Sequence, residues 1–312
     1  MNSQRSPFFW ITGGFFLGIL LTYHLLPTYI NYTGQHNNLK RYDKEGVLKF
    51  GNPAIGPIND LFKRNAYTVS YNRRDRIPYW VGEHLTEESL KRGEGVSRDK
   101  SRFKGDVNLP EMFRAYPNDY TNSGYDRGHM APAGDAVASQ VGMDETFLLT
   151  NIAPQIGPGF NRQYWAYFEA FCRDLTKNFT DVYVYTGPLF LPKVGRNTYS
   201  LADIRLRSDG TSIMNAMKFN QMSYEMSYSL IGSNGPNVAV PTHFFKILLL
   251  IKDGNYFSGS FVLPNQAISR SILLSQFQVD LKAIEKASGL QFFSELDRDV
   301  FLNLCDHIQC IL

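Results

Sequence analysis

Cysteine is scarce in this chain. The 312 residues include only Cys172, Cys305 and Cys310. This odd and small number is far below what a disulfide framework uses, and Cys305 and Cys310 alone are too few to enclose a zinc ion. Cys172 falls on an apolar stripe with helical spacing, so it is most simply a small core residue. A fold framed by cysteines is therefore not expected.

A large excess of charge of one sign is also missing, and no internal repeat is evident. The formal net charge is +3, which is too small to indicate a nucleic-acid partner by itself. With 43% hydrophobic and 14% aromatic residues, the composition is that of an ordinary globular protein with enough material for a core. The length allows one large domain or two.

A largely apolar stretch, uncharged unless His24 is protonated, runs from Phe8 to Leu26 behind Arg5. As a helix it would rise about 28 Å, close to the roughly 30 Å hydrocarbon core of a bilayer. It is long for the apolar part of a secretory signal, and no clear small-x-small cleavage pattern follows it. We therefore expect residues 1–30 to be a targeting or transmembrane segment that stays in place, with a cleaved secretory signal as the alternative.

The folded body is expected to follow this segment after a short polar linker. We predict the linker at 31–41 and one domain at 42–312. Two Asn-x-Thr patterns, at Asn31 and Asn178, match N-glycosylation sites. They would matter only on a secretory route, so they bear on that alternative alone.

Positive charge is concentrated in two short runs. Residues 91–104 contain six basic side chains against Glu94 and Asp99, and residues 73–76 contain three. Such runs are usually solvated faces. Beside a hydrolytic site, attraction of the phosphate backbone becomes the stronger interpretation.

Strand-forming segments outnumber helical ones and do not alternate with them. Strands are predicted at 66–72 and 79–83 around a basic turn, then at 182–186, 238–251 and 256–263, with a hairpin turn at Asp253-Gly254. A short helix is predicted over 280–288, ending at Gly289. This order indicates an α+β fold with a largely antiparallel central sheet flanked by helices.

Two regions do not fit this regular pattern. Residues 196–224 are polar and lack sustained periodicity, so we expect an exposed insertion there. Residues 295–312 are expected to be a helical C-terminal extension.

The pattern richest in chemistry joins two segments and one acid. Tyr125-Asp126-Arg127-Gly128-His129 is followed by Asn161-Arg162-Gln163-Tyr164-Trp165 and then by Glu169. The first segment has turn-forming residues around its histidine, and the second opens a helix with apolar residues at helical spacing. A neutral base, an oxygen that can anchor a metal and a nearby carboxylate are what metal-dependent phosphodiester hydrolysis requires.

The spacing Asp-Arg-Gly-His, then Asn-Arg-x-x-Trp-x-x-x-Glu, resembles the DNA/RNA non-specific endonuclease family and its ββα-metal fold. Within that family the chain is most similar to the mitochondrial endonuclease G and fungal mitochondrial nuclease branch. The similarity extends over about residues 50–290 and includes further motifs: Ser70-Tyr71-Asn72-Arg73, Pro78-Tyr79-Trp80-Val81, Asn151-Ile152-Ala153-Pro154-Gln155, Thr186-Gly187-Pro188-Leu189 and Val240-Pro241-Thr242-His243-Phe244-Phe245.

The resemblance implies roles for the metal and the base. His129 is expected to be the general base, because a neutral imidazole with a pKa near 6.5 can take a proton from water. Asn161 is expected to be the sole direct protein ligand of Mg²⁺, which keeps most of its water shell; a surface asparagine that caps a helix is the alternative. Glu169 is expected to hydrogen-bond one of the metal's waters, and Asn151 to support the same shell.

Two arginines complete the expected catalytic set. Arg98 is expected to steady the phosphate, and Arg127 to assist it, since a guanidinium can hold two phosphate oxygens and stays charged. For Arg127 the alternative is a structural pairing with Asp126. Asp126 itself is expected to position its neighbours.

For the whole protein, the resemblance implies a Mg²⁺-dependent endonuclease, with Mn²⁺ as a possible substitute, that cuts DNA and RNA to 5′-phosphate and 3′-hydroxyl ends. It implies a homodimer in mitochondria, held at the inner membrane on its intermembrane-space side by the N-terminal segment, with DNA degradation during cell death as a setting. The alternatives are a secreted non-specific nuclease and a catalytically silent nucleic-acid-binding protein.

Overall fold

The computed structural model describes residues 46–51, 60–194 and 224–312. The chain divides into two units, Met1–Lys49 and Phe50–Leu312. Of the first unit only Gly46–Lys49 is described, and it contains one 3₁₀ turn, Gly46–Leu48. The predicted membrane segment and nearly all of the predicted insertion lie outside the described residues. Within the described ranges, no helix is both long and apolar enough to cross a membrane.

The second unit contains strands and short helices in a mixed order. Its described strands are β1 (Leu61–Lys63), β2 (Tyr67–Asn72), β3 (Ile77–Leu85), β4 (Tyr125–His129), β5 (Ile152–Ile156), β6 (Asp181–Leu189), β7 (Lys193–Val194), β8 (Tyr224–Glu225), β9 (Leu230–Ile231), β10 (Val238–Ala239), β11 (His243–Lys252), β12 (Asn255–Pro264) and β13 (Leu302–Asn303). Its α-helices are α1 (Gln140–Thr146), α2 (Ala166–Leu175), α3 (Leu281–Ser288) and α4 (Leu304–His307).

The central sheet has seven strands in the order β1-β2-β3-β6-β11-β12-β13. All of its neighbours pair antiparallel except β12 and β13, which are parallel. The expected α+β architecture with a largely antiparallel sheet is therefore confirmed. The β11–β12 turn is Asp253-Gly254, with φ of 50° and 75°, the left-handed backbone that a two-residue hairpin favours.

Most of the predicted elements are present with small shifts at their ends. The basic turn lies between β2 and β3, and α3 ends at the left-handed Gly289, as predicted. Asp280 is the N-cap of α3 rather than its first helical residue. The single strand predicted over 238–251 is wrong, because the structure divides it into β10 and β11. Pro241 lies in the gap, and a proline cannot donate a ladder hydrogen bond.

The core lies between the central sheet and α2. The predicted stripe of Phe168, Cys172 and Leu175 is buried, and Trp165, one turn earlier, is also fully buried. Phe168 packs edge to face against Phe261 of β12, with ring centroids 5.3 Å apart. This packing fixes α2 to the sheet and so sets the position of the residues at its N-terminal end.

Most of the candidate site residues lie on a separate two-stranded antiparallel sheet and on the helical segment that follows it. Strands β4 and β5 pair antiparallel, from Tyr125 opposite Ile156 to His129 opposite Ile152. The segment Gly157–Trp165 follows β5; its start is not helical, since Pro158 has φ of −67° and ψ of 136° and Gly159 has φ of 80°, and its later residues lead directly into α2.

The C-terminal extension differs from the prediction. Residues 295–312 are not one helix, because the tail adds β13 to the sheet edge and then forms the short α4. A disulfide joins Cys305 to Cys310. The low cysteine count gave no indication of this local link, which ties α4 to the chain end while buried Leu304 packs inward.

Replacing Cys305 and Cys310 by serine together is expected to destabilise the fold by about 2 kcal/mol, because the disulfide closes only a short loop and removes little chain entropy from the unfolded state. Denaturant unfolding of the oxidised wild type and the double variant measures the difference. The wild type treated with reductant is the matched control and should behave like the variant. Equal stability of all three would contradict a disulfide that contributes to the fold.

Candidate active site

His129 ends β4 and is almost entirely enclosed, with 7% of its surface exposed. Its ring packs against two aromatic side chains, 5.3 Å from the centroid of Phe103 and 4.9 Å from that of Phe147, and these two rings also contact each other, with centroids 4.9 Å apart. The Nε2 atom is buried and makes no hydrogen bond to any described residue. Nδ1 is therefore the ring nitrogen that can meet a water molecule.

The two arginines predicted for phosphate binding pack against the same two aromatic rings. The guanidinium carbon of Arg98 is 5.2 Å from the centroid of Phe147, and that of Arg127 is 5.2 Å from the centroid of Phe103. Each of the two rings that contact the histidine thus also contacts an arginine. A guanidinium held near the histidine in this way can bind two phosphate oxygens.

Arg127 is not the partner of Asp126. Its Nη2 donates to the carbonyl oxygen of Pro117 at 3.0 Å, so the alternative of a structural pairing with its neighbour is not what the structure has. Arg98 is exposed and makes no ion pair with any described residue. Arg127 is therefore held by the backbone, and the charge of Arg98 is available to bind a phosphate.

Burial, helped by the positive charge of Arg98, lowers the pKa of His129 to about 3. The imidazole is consequently neutral at every pH at which the protein would ordinarily be assayed. A neutral ring can accept a proton, whereas an imidazolium cannot.

The low pKa of His129 gives a stability prediction. The unfolded chain binds a proton at this histidine below about pH 6.5 and the folded chain does not, so stability falls as the pH drops from about 6.5 towards 3. At pH 5 the histidine should cost about 2 kcal/mol of unfolding free energy relative to neutral pH. His129→Gln should lack this part of the loss.

Urea unfolding of both proteins in EDTA, at neutral pH and at pH 5, measures the effect. Buried carboxyl groups shift stability in the opposite direction, but they are common to both proteins and cancel in the difference. Parallel stability curves for wild type and His129→Gln would show that the histidine is not held neutral.

Asn161 lies in the helical part of the Gly157–Trp165 segment, just before α2, and is tied to β4. Its Nδ2 donates to Oδ2 of Asp126 at 2.9 Å, and Arg162 binds the same carboxylate through Nε at 2.7 Å and Nη2 at 2.6 Å. The hydrogen bonds from Arg162 lower the pKa of Asp126 most, and the hydrogen bond from Asn161 lowers it further. Asp126 thus positions this segment, as expected for it, and orients the amide so that its oxygen points elsewhere.

The residues present fit a magnesium ion with a single protein ligand. Oδ1 of Asn161 accepts no hydrogen bond from any described residue, and an amide oxygen is a hard ligand that Mg²⁺ accepts. Among the described residues there is no cluster of three acidic, histidine or cysteine side chains that could hold a metal. Any ion here would depend on Asn161, water and the phosphate of a substrate.

The side chain of Asn151 hydrogen-bonds to the backbone next to the strand that contains His129. The side chain is fully buried; its Oδ1 accepts from the amide of Ala131 at 2.9 Å, and its Nδ2 donates to the carbonyl oxygens of Ala131 and Thr146 at 2.8 Å each. Two of these bonds go to Ala131, just after His129, and the third goes to Thr146 at the end of α1. Asn151 therefore braces the backbone beside His129.

Glu169 lies on α2, one turn after Trp165, with part of its side chain exposed. Burial raises the pKa of its carboxyl to about 7, and the charge of Lys246 is the largest influence in the opposite direction. Its pKa also responds to Arg98, so it shares the electrostatic environment of the site.

Glycine is required at Gly128 by a close approach rather than by its backbone angles. A Cβ there would collide with the side chain of Gln155, which crosses from β5 and is fully buried. A Cβ at Gly157 would lie 2.8 Å from Oδ2 of Asp126. The two glycines therefore let β4 and the start of the Gly157–Trp165 segment come close enough for Asp126 to reach Asn161.

Several residues that shape the site were missed by sequence reasoning. Phe103, Phe147, Arg162 and Lys246 all contact predicted site residues or their partners. Arg162 stands next to Asn161 in the motif, so its position was a usable signal. The two phenylalanines are separated by more than 40 residues and carry no local pattern that would associate them with a histidine.

Comparison with known proteins agrees with this geometry. The family model for DNA/RNA non-specific endonucleases matches residues 46–299. A protein named nuclease from Syncephalastrum racemosum is 53% identical over 277 residues, covering 88% of this chain and 80% of that protein. The mitochondrial nuclease of Saccharomyces cerevisiae is 41% identical over 274 residues, covering 86% of this chain and 75% of that protein.

A solved structure is similar as well. The EndoG chain of an EndoG/EndoGI complex, described as showing the mechanism of EndoG inhibition, superposes with a TM-score of 0.69 at 40% identity and covers 82% of this chain and 94% of that chain. The resemblance inferred from the motifs is confirmed: the chain belongs to the DNA/RNA non-specific endonuclease family and is an endonuclease.

Proposed function

We propose that this protein is a Mg²⁺-dependent, sugar-non-specific endonuclease that hydrolyses DNA and RNA to 5′-phosphate and 3′-hydroxyl ends. The hydrogen bond from Asn161 to Asp126 is the observation that carries the proposal. It joins the helical turn to the strand that ends, three residues later, in the neutral and unpartnered His129. A base and a free amide oxygen are thereby held on one rigid unit.

In this proposal His129 takes the proton from the water that attacks phosphorus. Arg98 and Arg127, whose guanidinium groups pack on the rings of Phe147 and Phe103, hold the phosphate oxygens. Glu169 orients water beside Asn161. Mg²⁺, or Mn²⁺ as a substitute, supplies positive charge for the phosphate and the leaving 3′ oxygen when it is bound. Asp126 and Asn151 keep the two halves of the site in register.

Digestion of plasmid DNA and of RNA tests the proposal. The full chain should cleave both polymers with Mg²⁺, should stop with EDTA, and should leave 3′ ends that a polymerase extends without prior phosphatase treatment. His129→Ala protein purified in parallel controls for contaminating nucleases. Binding without Mg²⁺-dependent cleavage would favour the catalytically silent alternative.

The basic segment before the site is proposed to guide the phosphate backbone. Lys100, Arg102 and Lys104 are exposed and precede or flank Phe103. Changing these three to alanine should weaken binding of DNA and RNA alike. It should also flatten the logarithmic salt dependence by up to about 0.9 for each phosphate that the protein no longer neutralises.

The matched control removes three exposed lysines elsewhere, Lys252, Lys282 and Lys286. It has the same loss of charge, so any effect of net charge alone should appear in both triple variants. Binding curves over a salt series compare them. If the first variant keeps the wild-type slope, nucleic acid binds over another surface.

For cellular setting we propose a mitochondrial enzyme that acts as a homodimer and degrades DNA during cell death. An anchor at residues 8–26 would hold it at the inner membrane, facing the intermembrane space. Several relatives are named mitochondrial nucleases, which supports the organelle. Fractionation with N-terminal sequencing of the mature chain tests this location.

A secreted nuclease remains the second candidate because of two observations. The Cys305–Cys310 disulfide is typical of compartments outside the reducing cytosol, and Asn178 of the second Asn-x-Thr pattern is exposed. A mature chain that begins after residue 26 and carries a glycan at Asn178 would establish this candidate instead.

A further inference from the structure

Lys246 is a lysine with almost no contact with solvent. It lies in the middle of β11 with 1% of its surface exposed, and its Nζ donates to Oγ1 of Thr186 on β6 at 2.7 Å. Within the described part of the chain no ion pair includes it. A buried ammonium without a direct counter-ion is costly, and such groups are concentrated at functional sites.

The ammonium faces the helix that carries Glu169. Nζ lies 4.8 Å from the ring centroid of Trp165 and 5.7 Å from that of Phe168. Trp165 precedes Glu169 by four residues, and side chains four apart share one face of a helix. The cation therefore lies beneath the face from which the Glu169 carboxyl projects.

The other buried charges around this point are largely neutralised. Asp135 follows β4 and is paired with Arg173 of α2, Oδ1 to Nη1, at 2.6 Å. Glu83 on β3 is buried, and neither of its oxygens accepts a hydrogen bond from a described residue. Burial and the neighbouring Asp135 raise the pKa of Glu83 well above its usual value.

Asp135 is paired with Arg173, whereas Glu169 has no ion pair among the described residues and lies on the helix that Lys246 faces. The cations facing Glu169 are Lys246 from β11, Arg173 from its own helix and Arg98 from the basic segment. Arg173 is engaged by Asp135, and Arg98 is placed for phosphate. Lys246 also lowers the pKa of Glu83 and of Asp135, but its one described hydrogen bond, to Thr186, involves no acid.

We propose that Lys246 is a positioning residue of the active site, whose buried ammonium favours the ionised form of Glu169 and orients it for its work beside Asn161. This inference rests on the proposed function of Glu169. The electrostatics agree with this role, because Lys246 lowers the pKa of Glu169 more than any other group does. Thr186 and Trp165 hold the ammonium in place.

Kinetics of Lys246→Met test the proposal, with Lys246→Arg as the charge-retaining variant and Lys252→Met as the control on the exposed end of the same strand. Lys246→Met should leave KM near the wild-type value and move the acid limb of kcat up by about one pH unit, so that kcat falls about tenfold on the acid side. Lys246→Arg should restore most of the rate, and Lys252→Met should change nothing.

A double-mutant cycle separates an action through Glu169 from a general structural one. If Lys246 acts through Glu169, Lys246→Met should slow the Glu169→Gln enzyme hardly at all. An equal fold-loss in both backgrounds would overturn the inference. Full activity of Glu169→Gln would instead refute the proposed function of Glu169 and leave Lys246 without a target.

A measurement on metal-free protein checks the same point without activity. In ¹³C spectra of carboxyl-labelled protein, the Glu169 signal, assigned with Glu169→Gln, should titrate about one unit higher in Lys246→Met than in wild type. Thr186→Val frees Nζ while keeping the charge, so it should shift the titration in the same direction by less and serves if Lys246→Met does not fold. An unchanged Glu169 titration in the folded variants would overturn the inference.

Discussion

His129→Ala is expected to fold and to bind nucleic acid normally, while its cleavage rate falls by at least about two orders of magnitude, the usual scale for loss of a general base. The histidine makes no hydrogen bond through its buried Nε2, so its removal leaves no partner unsatisfied there. The remaining contacts of the ring are with Phe103 and Phe147. The loss should therefore fall on the chemical step rather than on the fold.

Single-turnover cleavage of an end-labelled duplex, together with its binding constant, measures this effect. His307→Ala is the matched control, because His307 is exposed and lies on α4 at the far end of the chain. Near-normal turnover by folded His129→Ala protein would remove the histidine from the mechanism.

Asn161→Ala is expected to lose cleavage together with its response to Mg²⁺. Removing groups that merely support metal ligands commonly costs about 10- to 100-fold in metal affinity or activity, and loss of the only ligand should cost at least as much. Half-saturating Mg²⁺ should rise accordingly. The alanine also frees one hydrogen-bond site on Asp126, which Arg162 continues to hold.

Asn161→Asp separates ligation from positioning. It keeps an oxygen for the ion but places a carboxylate where Asn161 now donates to Asp126 at 2.9 Å, so metal-free stability should fall and added Mg²⁺ should recover it. Asn178→Ala, an exposed asparagine just after α2, is the control. Magnesium titrations followed by activity and by thermal unfolding decide; an unaltered Mg²⁺ response in Asn161→Ala would refute ligation.

Local sequence patterns predicted most of the fold because they record local physics. The Asp253-Gly254 turn requires left-handed backbone, and Gly289 ends α3 for the same reason. The tail was predicted less well, since β13 and α4 are short and depend on packing against β12 and on one disulfide. Tertiary contacts of this kind leave no periodic signal.

The candidate site divides in the same way. His129, Asn161 and Glu169 stand in a spaced motif, so they could be named from the sequence. The reason why His129 is neutral could not, because it depends on enclosure by Phe103 and Phe147 and on the charge of Arg98. Lys246 was hidden for a related cause: a lysine in an apolar strand becomes notable only when its burial is known.

Chemical rescue tests the central claim most directly, because it asks whether the missing element in His129→Ala is a base. Removal of the ring leaves a space beside Phe103 and Phe147 that imidazole can enter. Added imidazole should raise the cleavage rate of His129→Ala in proportion to its neutral form and should leave Asn161→Ala unchanged. If imidazole restores no cleavage although the variant is folded, binds DNA and responds to Mg²⁺, or if it restores both variants equally, His129 is not the general base.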